Sequence, residues 1–179
     1  MPFPQLPTQL SQAQLVESFF RNSQGHWHSE RRYYTLNNRE TQEVVSFLTV
    51  EFLEQNDPQL IELARAHELA DETALTCGAV TTWNSNYKGP SEKQVSGSTV
   101  FGVLGSILYR DRGFATQKPV TADFILPEPK TLRLRTEYSN SVFEEEIKLI
   151  GSNVRTRQTI ISKAGQEIMI GQYLEQRIS

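Results

Sequence analysis

Two periodicities divide this chain. Near its start, Leu15, Phe19 and Phe20 fall at i, i+4 and i+5, a narrow apolar stripe with helical spacing. Ser11 stands before the stripe as a cap, and Asn22, Ser23 and Gly25 supply a stop, so a short helix is predicted. The proline-rich residues 1–10 carry little periodicity and read as a mobile lead-in. From Trp27 onward the pattern is mostly of two residues.

Residues 44–53 are rich in β-branched and aromatic side chains, as strands are. After the break at Asn56-Asp57-Pro58, residues 59–69 read as a second helix with Leu60, Ala64 and His67 on one side. Strands are predicted at 74–83, 97–104, 120–126 and 131–138, and the last alternates most cleanly. There Leu132, Leu134, Thr136 and Tyr138 share one face while Arg133, Arg135 and Glu137 share the other. The final third reads as a meander of 143–150, 154–162 and 167–175, turning at Gly151-Ser152-Asn153 and at Lys163-Ala164-Gly165. Roughly eight closely spaced strands against two helices predict an all-β, closed or nearly closed antiparallel barrel. A barrel of about eight to ten strands holds one small ligand. Residues 1–179 read as one domain, without a linker or internal repeat.

Charge and composition narrow the function. Lys and Arg number 18 and Asp and Glu 21, a net charge of −3, which argues against a dedicated nucleic-acid binder. No apolar run approaches the ~20 residues of a membrane span. The opening Met-Pro-Phe-Pro-Gln-Leu-Pro lacks the marks of a secretory signal. A lone cysteine, Cys77, fits a reducing, cytoplasm-like compartment. His26 and His28 share a strand face but have no further ligand at suitable spacing, so no metal site is expected. Cys77, between Leu75 and Ala79, reads as a small buried hydrophobe ahead of a nucleophile.

The most informative cluster is Arg155-Thr156-Arg157, whose two guanidiniums share one face of a strand. Facing inward they would need anions, which a dicarboxylate ligand could supply; facing outward they would pair with 144–146. The two faces of 154–161 are equally apolar, so alternation leaves both open. Glu145 stands apart from Glu144 and Glu146 for the same reason, as a candidate catalytic carboxylate or one of a solvated run. Trp27 and Trp83 are core candidates that could also stack on a planar ligand.

Several segments, in order, resemble one family. Gly25-His26-Trp27-His28-Ser29-Glu30-Arg31 resembles the Gly-Lys-Trp-x-Ser-x-Arg opening of the S/U-type phycobiliprotein chromophore lyases. Their central block resembles the stretch from Ala74 through Cys77-Gly78 to Trp83 and on to Ser96-Gly97-Ser98-Thr99-Val100. Thr136-Glu137-Tyr138 and Asn153-Val154-Arg155-Thr156-Arg157 resemble later motifs, and the likeness spans about residues 15 to 178. The resemblance implies a lipocalin-like barrel of ten strands that takes a bilin such as phycocyanobilin and links it by a thioether to a cysteine of an apo-phycobiliprotein subunit.

On this chain the resemblance implies bilin binding by Arg31, Arg155, Arg157 and Trp83, with Glu145 as the carboxylate at the pyrrole nitrogens. Tyr34 and Tyr87 stand where relatives carry His and Trp and count as bilin-facing positions; Lys148 replaces a second Trp. The bilin is then the transferred substrate, with no cofactor of the enzyme's own. The partners implied are the client subunit and a second lyase subunit in a homodimer or heterodimer, in cyanobacterial cytoplasm or plastid stroma. A non-catalytic bilin carrier and an assembly subunit are the alternatives.

Overall fold

The computed structural model describes residues 10–90 and 92–179, so the lead-in expected over 1–10 lies, except for Leu10, outside the described residues. Helix α1 (Gln12–Ser23) starts with a reciprocal cap: the Gln14 N–H donates to Ser11 Oγ (3.2 Å) and the Ser11 N–H to Gln14 Oε1 (2.9 Å). Its stripe is wider than the sequence suggested, with Val16, Phe19 and Phe20 all buried.

Ten strands follow: β1 (Gly25–Thr35), β2 (Thr41–Glu54), β3 (Cys77–Tyr87), β4 (Lys93–Leu104), β5 (Ile107–Arg110), β6 (Val120–Glu128), β7 (Thr131–Tyr138), β8 (Ser141–Ile150), β9 (Val154–Lys163) and β10 (Gln166–Arg177). Sequential neighbours pair antiparallel, and β1 closes the barrel on β10, from Trp27 opposite Arg177 to Thr35 opposite Met169. Closure leaves neither β1 nor β10 as a sheet edge, while the short β5 pairs with only residues 101–104 of β4.

Pattern reading of the sequence gave eight strands; the two it lacked are β1, announced only by its change of period, and the four-residue β5. The third strand starts at Cys77 rather than 74 and runs on to Tyr87. Helix α2 (Pro58–Ala66) ends three residues before the expected 69, where Glu68 takes a left-handed conformation (φ 55°). It packs outside the barrel, burying Leu60, Leu63 and Ala64 against Leu53, Leu75 and Val80. Gly102 makes that seat possible: a Cβ there would lie 2.7 Å from Leu75 Cδ1 and 3.0 Å from Leu63 Cδ2. No helix among the described residues is long and apolar enough to cross a membrane.

The interior has two unlike ends. One is filled by Trp27, Leu48, Val50, Cys77, Ala79, Val103, Leu108, Phe124, Leu132 and Leu149, and α1 covers it like a plug. Each fully buried large apolar side chain contributes about 1.5–3 kcal/mol. Trp27 Nε1 donates to the Ser23 carbonyl (2.9 Å), and Arg177 donates to the carbonyls of Asn22 (2.7 Å), Gln24 and Ser152 (2.9 Å), tying down the helix C-terminus. Toward the other end the inward positions turn polar and aromatic.

Candidate functional site

Strand β9 resolves what its own sequence left open. Arg155 and Arg157 point inward and Val154, Thr156 and Gln158 outward, because the neighbouring strands carry the anions. On β10, Glu175 lies opposite Arg155, and Arg155 Nε donates to Glu175 Oε1 at 2.8 Å. On β8, Glu145 stands diagonally from Arg157, and Arg157 Nη2 donates to Glu145 Oε1 at 2.9 Å. Of the anions that inward-facing arginines would need, the chain thus supplies two itself, where the sequence had suggested a dicarboxylate ligand as the source. The Arg155–Glu175 pair is buried and the Arg157–Glu145 pair is half-buried at its guanidinium, and such pairs return little net stability because the ions lose water.

Two further guanidiniums share this interior. Arg31 Nε donates to Ser29 Oγ (3.1 Å), and its guanidinium carbon lies 5.0 Å from the centre of the Tyr173 ring. Arg110 ends β5 beside Phe101, with ring centre and guanidinium carbon 5.0 Å apart. Among the described residues neither forms a salt bridge, so four guanidiniums face two carboxylates, a local surplus of 4 − 2 = +2. That surplus shapes the titration of the site. Burial alone would raise the Glu145 carboxyl, but Arg157 and Arg110 outweigh it and hold it below the usual range. Glu175 is held low against burial in the same way, by Arg155, Arg31 and Arg157. Burial pushes Tyr173 upward, so it stays a neutral phenol.

Aromatic side chains line the open half. Trp83 and Tyr87 point inward from β3 and are half-buried. Trp83 needs Gly97 on the facing strand, where a Cβ would fall 2.7 Å from its ring, and Arg112 lies 5.5 Å from the indole centre. Lys93 Nζ sits 4.7 Å from the centre of the Tyr87 ring. Tyr33 and Tyr173 meet edge to face at 5.7 Å. A flat conjugated ligand with two acidic groups suits such walls and such a charge surplus.

The expected residues divide cleanly. Arg31, Glu145, Arg155, Arg157, Trp83 and Tyr87 are brought together in the interior. Tyr34 is not: alternation from Arg31 and Tyr33 turns it to the outer face, and this corrects its assignment as a ligand-facing residue. Lys148 also points outward, toward Glu146 at 3.8 Å, so its replacement of a Trp leaves the interior unchanged. His26 and His28 lie outside as well, against Thr49 and Phe47. Cys77 sits in the plugged end, and burial pushes its thiol up to about 12, as expected of a packed hydrophobe.

Tyr33, Arg110, Tyr173 and Glu175 complete the interior and were missed. Tyr173 and Glu175 share the Arg155 periodicity on a strand that was found, so pairing the two strands would have exposed them. A recess of about 610 Å3 lies mainly on the outer side of β1, β2, β9 and β10, among charges of both signs such as Glu30, Arg32 and Glu43. Arg31, Arg157 and Tyr173 of the interior cluster reach its lining as well.

Comparison with known proteins agrees with this geometry. The family described as CpeS-like protein matches residues 15–178. A Nostoc sp. protein provisionally named phycocyanobilin lyase CpcS 2 is 57% identical over 169 residues, covering 94% of this chain and 93% of its own. A Picosynechococcus sp. protein provisionally named chromophore lyase CpcV is 50% identical over 162 residues, 90% of this chain and 80% of its own. Among solved structures, the S-type phycobiliprotein lyase CPES from Guillardia theta superposes with a TM-score of 0.77 at 21% identity, over 92% of this chain and 93% of that one, and so shares its fold. Match length and identity together leave one conclusion: this chain belongs to the CpeS-like family.

Proposed function

We propose that this protein is a bilin lyase, which holds an open-chain tetrapyrrole in the open half of its barrel and joins it through a thioether to a cysteine of a phycobiliprotein subunit. The observation that carries this reading is the interior surplus of two guanidinium charges among aromatic walls, which matches the two propionates and the flat conjugated body of a bilin. Family membership and the names of the Nostoc and Picosynechococcus relatives support the same reading, and the Nostoc name favours phycocyanobilin.

In the proposed reaction the client thiolate adds to the ethylidene carbon of the bilin A-ring. A carbon–sulfur bond forms, the ethylidene double bond opens, and the displaced electron pair is protonated within the tetrapyrrole; nothing leaves. Glu145, ionised and inward, holds the pyrrole N–H groups and favours the protonated, more electrophilic tetrapyrrole. For this its bond to Arg157 loosens as the pyrrole N–H groups engage the carboxylate. The barrel wall keeps water and other nucleophiles off the ethylidene carbon.

The test is to mix purified protein, phycocyanobilin and an apo-phycobiliprotein subunit, denature the mixture, and follow the chromophore. Bilin retained on the client supports the lyase. Bilin bound by this chain but never transferred, alone or beside a second lyase subunit, would make it a carrier.

A further inference from the structure

Arg155 is engaged by Glu175 and Arg157 by Glu145, but Arg110 has no such partner. It is only 7% exposed, and its Nε is buried without a hydrogen bond. The ring of Phe101 offers a cation–π contact, but a ring face gives the buried Nε–H no acceptor. The residue is nevertheless fixed in place. Its backbone pairs with Phe101 on β4 and Val120 on β6, and His67 Nε2, from the end of α2, donates to its carbonyl oxygen at 2.8 Å. A clamped strand end thus holds, toward the interior and on the far side of the barrel from Arg31, a cation that has no salt-bridge partner among the described residues. A buried charge with open donors is costly unless an anion arrives to meet it.

We infer that Arg110 receives one carboxylate of the bound ligand, so that Arg110 and Arg31, rather than the internally paired Arg155, anchor the two propionates of an open-chain tetrapyrrole. This rests on the bilin reading above and adds a specificity residue to it.

Phycocyanobilin and its dimethyl ester, titrated by absorption into wild type, Arg110→Met and Arg110→Lys, test the assignment. For the free acid, Arg110→Met should weaken binding roughly 10- to 100-fold, the effect of losing a charge-assisted pair. Arg110→Lys should fall between, since it keeps the charge without the planar fork. The ester should bind all three proteins within about twofold of one another, because it offers no carboxylate to pair. The melting temperature of ligand-free Arg110→Met should stay level or rise, since an unmatched charge has been removed. Equal losses for acid and ester, unchanged affinity for the acid, or a ligand-free variant that fails to fold would each overturn the assignment. Wild type that binds neither form would overturn the bilin reading itself.

Discussion

Glu145 is buried beside Arg157 and within the field of Arg110, a carboxylate kept ionised by its neighbours rather than by water. If its work is to hold pyrrole nitrogens during thiol addition, Glu145→Gln should slow transfer at least tenfold while weakening bilin binding only a few-fold, a general acid–base contribution of modest size. Equal losses in stopped-flow transfer and in equilibrium titration would reduce it to a packing role. The other pair permits a stability test. Glu175→Leu leaves Arg155 uncompensated and should cost about 3–5 kcal/mol, whereas Arg155→Met with Glu175→Leu should recover most of that; urea denaturation measures both. Acid should act through the same groups. Both carboxyls are held below the usual range, so at falling pH the unfolded chain takes up their protons first. Their contribution is complete above about 4.3 and is lost as pH falls below it. Urea midpoints should therefore vary little between about pH 7 and 5 and drop below about pH 4. The shared face of Arg155 and Arg157 was legible in the sequence, but its direction was not, because both faces of β9 are equally apolar and the deciding anions lie on other strands. Choosing Tyr34 over Tyr33 shows how a one-residue slip inverts a side chain's fate.

The elements differ in how openly they declare themselves. Helix α1 is marked by Ser11, Gln14 and its apolar stripe, and α2 by Asp57 and Pro58, so both were legible. Strand β5 was not: with four residues, only Leu108 and Arg110 point inward, too few to display a period. The interior Arg110 was hidden with it. What anchors α1 was equally invisible, since Arg177 reaches it from the far end of the chain. Arg177→Ala should strip donors from three carbonyls and cost about 1–3 kcal/mol. Faster amide hydrogen exchange in α1 than in β8 or β9 would show that the loosening is local; uniform acceleration would show that the plug and barrel open together.

Across the whole molecule, the barrel separates stability from chemistry by depth. The plugged end, with Trp27 and Cys77, is a dry core, and the open half carries the arginines, carboxylates and aromatic walls. Turn residues and alternation made the all-β class readable, whereas closure depended on Trp27 meeting Arg177 across nearly the full sequence, which no local pattern records. The ten-strand count came from the family resemblance, and the structure bears it out. Cys77 lies deep in the dry core with its thiol pushed up to about 12, in keeping with the proposed reaction, in which the client's cysteine attacks. The most direct measurement is the intact mass of both proteins after incubation with phycocyanobilin and denaturation. The expected result is a client heavier by one whole bilin, because thiol addition expels no atoms, with this chain unchanged in mass and Cys77→Ser equally active. A bilin fixed on this chain, or a client of unaltered mass beside every partner subunit tried, would contradict it.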